Sequence, residues 1–95
     1  MPKLAAKQIG LQLEAIPSWT KRALTIRRTF EFDGFLKSID FVNQVAKKAQ
    51  KANHHPDLDI RFSKVTLTLT THDEGGLTEK DFSLAKQCDE VFAKF

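Results

Sequence analysis

From Leu24 the apolar residues recur at every second position: Leu24, Ile26, Phe30 and Phe32 alternate with Thr25, Arg27, Thr29 and Glu31. A period of two belongs to a strand with one packed face and one wetted face. Arg28 is the single charged intrusion on the apolar side. Trp19 to Lys21 opens a shorter strand before it. A second strand region runs from Ile60 to Thr71, where Val65, Leu67 and Leu69 alternate with Thr66, Thr68 and Thr70. Its parity slips at Ser63-Lys64, which predicts a turn or bulge between two strands.

Between these segments the period lengthens to that of a helix. Leu4 to Ile16 places Leu4, Gln8, Leu11 and Ala15 on one face, with Ile9, Leu13 and Ile16 beside it. Pro17 ends it, because the residue before a proline avoids the helical region. Asp33-Gly34 is a turn or N-cap, and a second helix follows to about Asn53. Phe35, Ile39, Val42, Ala46 and Ala49 recur there at spacings of four, three, four and three, a predicted buried stripe. Asn53 and Pro56 supply the stop. Thr78-Glu79-Lys80-Asp81 has the shape of a capping box and opens a last helix to Phe95. Its apolar stripe is Leu84, Ala85, Cys88, Val91, Phe92 and Phe95. The order is α-β-β-α-β-β-α. Strands with one polar face predict an α+β fold, a four-stranded antiparallel sheet with helices packed on one face.

Composition narrows the class. The 95 residues make one domain, 1–95, and a chain of this size buries about 65% of its unfolded surface without a disulfide or metal staple. Cys88 stands alone, which excludes a disulfide-framed scaffold, and its place on the apolar stripe marks it as a small buried hydrophobe. No apolar run approaches the roughly 18 residues of a membrane span, and the N-terminus lacks a secretory signal pattern. A soluble, cytoplasmic protein is expected. The net charge of +3 conceals an asymmetry: residues 1–51 hold ten Lys/Arg against four Asp/Glu, and residues 52–95 hold five against eight. The basic residues are scattered as on solvated faces. Without an RNA-binding or zinc-finger signature, direct nucleic-acid binding is not expected.

The candidate chemistry lies at element ends. His54 and His55 follow the second helix, and His72 follows the last strand. Their spacing is specific: His54-His55-Pro56, five residues, Phe62, nine residues, His72, eight residues, Asp81. A metal site from these histidines and a nearby Asp is disfavoured, since adjacent histidines rarely aim at one ion and no His-x-His or His-x-x-x-His spacing occurs. Asp81 reads equally as the third residue of the capping box or as a ligand-facing group, and Pro56 as a helix stop. Gln50 lies four positions before His54, so the two side chains are expected to share a helix face.

This combination resembles the pterin-4a-carbinolamine dehydratase family. The likeness runs from about Trp19 to the C-terminus. It is carried by Thr29-Phe30-Glu31-Phe32, by Ala49-Gln50-Lys51-Ala52-Asn53-His54-His55-Pro56, by Val65 to His72, and by Gly76-Leu77-Thr78-Glu79-Lys80-Asp81. The resemblance implies dehydration of 4a-hydroxytetrahydropterin to quinonoid dihydropterin, during cofactor recycling by aromatic amino acid hydroxylases. No metal or other cofactor is implied. His54 and His72 would be the catalytic acid–base pair, and His55, Pro56, Asp81 and Gln50 would bind the pterin. Imidazole suits this reaction, because the 4a-hydroxyl must gain a proton and N5 must lose one near neutral pH. Two positions depart from the family's habit: Gln50 stands where a carboxylate is frequent and Leu58 where a tryptophan is common. The resemblance also implies a homodimer or homotetramer. Phe82, Phe92 and Phe95 on one helix point the same way, since a small core cannot hide them all. The alternative is a non-catalytic interaction protein on the same fold, because animal members serve as dimerisation cofactors for a homeodomain transcription factor.

Overall fold

The structure, a computed structural model, describes residues 2–95. Helix α1 (Ala6–Glu14) is followed by the hairpin β1 (Thr20–Arg22) and β2 (Thr25–Glu31) and by the long helix α2 (Phe35–Ala52). Strands β3 (Asp57–Arg61) and β4 (Lys64–Leu69), a 3-10 turn (His72–Glu74) and helix α3 (Glu79–Phe92) complete the chain. The sheet order is β1-β2-β4-β3 with every pair antiparallel. The α+β architecture and the element order are those expected from the alternation.

One face of the sheet carries the core. Ile26, Phe30, Val65, Leu67 and Leu69 are buried beneath Phe41, Val45 and Ala49 of α2 and Phe82, Leu84, Ala85, Cys88 and Val91 of α3. The other face holds the threonines and charges, with Thr29 and Thr66 sharing a hydrogen bond of 2.8 Å across the strands. Arg28 is tolerated on the apolar side because its charge is answered there. Its Nη1 donates to Asp89 Oδ1 at 2.7 Å, Trp19 Nε1 donates to the same oxygen at 2.9 Å, and the guanidinium lies over the rings of Phe30 and Phe92.

Three expectations are corrected. In α2 the core side is Ser38, Phe41, Val45 and Ala49, while Phe35 and Ala46 are exposed and Ile39 and Val42 only half-buried. The apolar arc of this helix is wider than the core accepts, so spacing alone selects a neighbouring stripe. In α1 the outer residues Gln8, Leu11 and Ala15 face solvent, and Ile9 and Leu13 make the partial contact. Strand β3 begins at Asp57, not Ile60, and all five of its residues are exposed. As an edge strand it is paired on one side only, so Asp57 and Asp59 need no burial.

Cys88 is buried, as its stripe position predicts, and burial first, with Asp89 second, pushes its thiol up to about 12. A thiol in that state offers almost no thiolate at neutral or mildly alkaline pH. Cys88 is therefore expected to resist a disulfide exchange reagent in the native protein and to react fully once denaturant is added. Fast native labelling, followed optically, would contradict this placement.

Candidate active site

Helix α2 ends where Asn53 takes a left-handed conformation, φ 51° and ψ 42°. Asn tolerates this region better than most residues, and the chain reverses there as in the common αL helix stop. The backbone N–H of His54 then reaches back to Ala49 O at 3.1 Å. The reversal turns His54 inward, leaving it 9% exposed, and puts His55 on the outside.

His54 Nε2 lies 2.6 Å from Asp81 Oδ1. Asp81 has no exposed surface, and its second oxygen, Oδ2, accepts from the Thr71 hydroxyl and from the Thr78 backbone N–H, each at 2.9 Å. Thr78 is the N-cap of α3, and its Oγ accepts from Lys80 N. Both readings of Asp81 therefore merge: one oxygen closes the capping box and the other holds a histidine. Asp81 lies behind His54 and Thr71 with no exposed surface of its own, so it backs the cleft and is not part of its lining.

His72 opens the 3-10 turn after β4 and is exposed. Thr71 bridges to Gly76 and so closes the loop that carries it; Gly75 sits within that loop at φ 70°. All three histidines open onto one cleft of about 280 Å³, with Thr70, Asp73 and Lys80 on its walls. That is near the lower bound of roughly 300 Å³ for small-molecule pockets. Pro56, half-buried at the entry to β3, is not part of its lining. Gln50 does not meet His54. Its Oε1 lies 3.0 Å from His55 Nε2 instead, because the left-handed Asn53 breaks the helical spacing on which the pairing with His54 depended. Thr71 and Lys80 on the cleft wall, and Thr78 behind Thr71, are residues of the candidate site to which sequence reasoning gave no site role. Thr78 was visible as a cap, whereas nothing in the sequence distinguishes Thr71 from the other strand threonines.

A chain of 95 residues with this site has clear relatives. It matches the family described as Pterin 4 alpha carbinolamine dehydratase over residues 2–91. The chain belongs to that family. A protein of Acidobacterium capsulatum is 51% identical over 91 residues, covering 96% of this chain and 99% of the relative. One of Picosynechococcus sp. is 47% identical over 89 residues, covering 94% and 97%. Both carry the name "Putative pterin-4-alpha-carbinolamine dehydratase". Among solved structures, a transcriptional coactivator/pterin dehydratase from Brucella melitensis superposes with a TM-score of 0.90 at 32% identity, covering 94% of this chain and 97% of that one. A pterin dehydratase-like protein described as a RuBisCO assembly factor shares the fold alone, with a TM-score of 0.66 at 17% identity. Family membership thus agrees with the cleft, and the fold also occurs in proteins described as a transcriptional coactivator and as a RuBisCO assembly factor. Of the two departures from family habit, Gln50 stands at the rim on His55, and Leu58 lies on the exposed edge strand.

Proposed function

We propose that this protein is a hydro-lyase that dehydrates a 4a-hydroxytetrahydropterin to the quinonoid dihydropterin and water. The observation that supports it most is the convergence of His54, His55 and His72, from two loops remote in sequence, on one small cleft. The reaction breaks the C4a–O bond and the N5–H bond. One proton goes to the departing hydroxyl, one leaves N5, and no electron changes hands, so two imidazoles suffice as acid and base. His54 and His72 take these roles. His55, held by Gln50, contacts the pterin from the outer wall, and Lys80 adds a donor for its carbonyl edge.

Stopped-flow absorbance of the 4a-hydroxy intermediate is the test. Acceleration over buffer that persists in chelator is expected. Decay at the buffer rate would overturn the reading and favour the alternative, a non-catalytic interaction protein on this fold. We also propose that the chain assembles as a homodimer or homotetramer, through the exposed edge of β3.

A further inference from the structure

We propose that Thr71 and Thr78 are positioning residues which, through Asp81, hold His54 as its Nε2–H tautomer and present Nδ1 to the cleft. The consequence for turnover rests on the dehydratase reading; the geometry does not. The direction of the network follows from donors that have no choice. The backbone N–H of Thr78 can only donate, and it donates to Asp81 Oδ2 at 2.9 Å. The Thr71 hydroxyl gives its one proton to the same oxygen, also at 2.9 Å. Thr71 and Thr78 Oγ are 2.8 Å apart, so the proton between them belongs to Thr78, whose own oxygen accepts from Lys80 N at 3.2 Å. Donation therefore runs one way, from Lys80 N–H through Thr78 and Thr71 to Asp81.

Oδ2 then has both acceptor positions filled, and Oδ1 is left as the acceptor facing His54 at 2.6 Å. A ring nitrogen beside an acceptor carries the hydrogen, which assigns Nε2–H. Nδ1 has no hydrogen bond among the described residues, and no buried side-chain nitrogen or oxygen among them lacks a partner. Nδ1 is therefore open, and it opens onto the cleft that His54 lines. Held this way, the neutral ring offers the cleft an acceptor, the base's half of the exchange. His72, on an exposed turn, has no such constraint.

The test reads the tautomer itself. Long-range proton–nitrogen correlation spectra of ¹⁵N-labelled protein, read on the neutral form of the ring, distinguish a protonated Nε2 from a protonated Nδ1. The wild-type protein is expected to show Nε2–H for His54. Thr71→Val removes one donor from a buried carboxylate and lets it turn. The Nε2–H preference should then fall roughly 10- to 100-fold, the weight of one hydrogen bond to a charged group. The same variant should lower kcat with KM little changed, and Thr71→Ser should restore both. Wild-type His54 protonated at Nδ1, or a folded Thr71→Val with the wild-type tautomer, would overturn the proposal. If Thr71→Val does not fold, Thr71→Ala removes the same hydroxyl without adding bulk. A tautomer that responds in a protein without dehydratase turnover would uphold the positioning role and reject the substrate reading alone.

Discussion

Alanine in place of His54 or of His72 is expected to lower kcat by roughly 10²- to 10⁴-fold each, the range for a positioned proton-transfer group. The two losses should be separable by their effect on the fold. His72 is exposed on its turn, so His72→Ala removes chemistry and little else. His54 occupies Asp81 Oδ1 in a fully buried network, so its removal leaves a charged acceptor without a partner. That should cost about 1–3 kcal/mol of stability as well. His55→Ala, at the rim where His55 shares a hydrogen bond with Gln50, should raise KM more than it lowers kcat. Steady-state turnover with denaturant unfolding of each variant decides the matter. Equal and trivial losses from all three would leave His54 a structural partner of Asp81 and His55 and His72 ordinary surface residues.

The contrast between His54 and His55 also shows what the sequence could disclose. Strands β2 and β4 were legible because the sheet has one dry face, and a one-faced sheet writes its burial into a period of two. The hairpin turn after β3 was legible within a residue for the same reason. The inward face of α2 was not, because Phe35, Ile39 and Val42 compete with Phe41 and Val45, and only the position of the sheet chooses between them. At the site, the family resemblance grouped the three histidines and Asp81, and the fold sets the histidines around one cleft with Asp81 behind His54. The Gln50 pairing failed because one left-handed residue rotates everything after it. Thr71 was silent because a hydroxyl in an alternating Thr run carries no mark until its partner, here Asp81, is known.

Replacing Ile60 with lysine is expected to convert an oligomer into a monomer. Strands β3 and β4 are joined by two residues, Phe62 and Ser63, so Arg61 and Lys64 form the closing hydrogen-bonded pair of the hairpin. Counting back, Asp57, Asp59 and Arg61 turn their backbone groups to β4. Leu58 and Ile60 turn theirs outward, to an edge with no strand beyond it among the described residues. Their side chains lie on the helix-covered face, opposite Leu67 and Val65, yet they remain 44% and 37% exposed because the helices stop short of this edge. An open edge with apolar side chains pairs unless it is guarded. A second β3 laid antiparallel would satisfy the outward backbone groups, extend the dry face with its own Leu58 and Ile60, and set the acidic start of each strand near Arg61 of the other. Of the Phe82, Phe92 and Phe95 proposed from sequence, Phe82 is buried, Phe92 half-buried and Phe95 exposed, a smaller apolar remnant than the β3 edge offers. A second apolar remnant, Phe35 and Leu36 at the start of α2, remains for a dimer of such dimers. Ile60→Lys would bring two ammonium groups together across the two-fold axis, and lysine on an edge is the usual guard against pairing. Light scattering at micromolar concentration should show the wild-type protein as a dimer or tetramer and the variant as a monomer. Turnover per chain should survive, because all three histidines come from one chain. A monomeric wild-type protein, or a variant that assembles unchanged, would show that the β3 edge is not the interface.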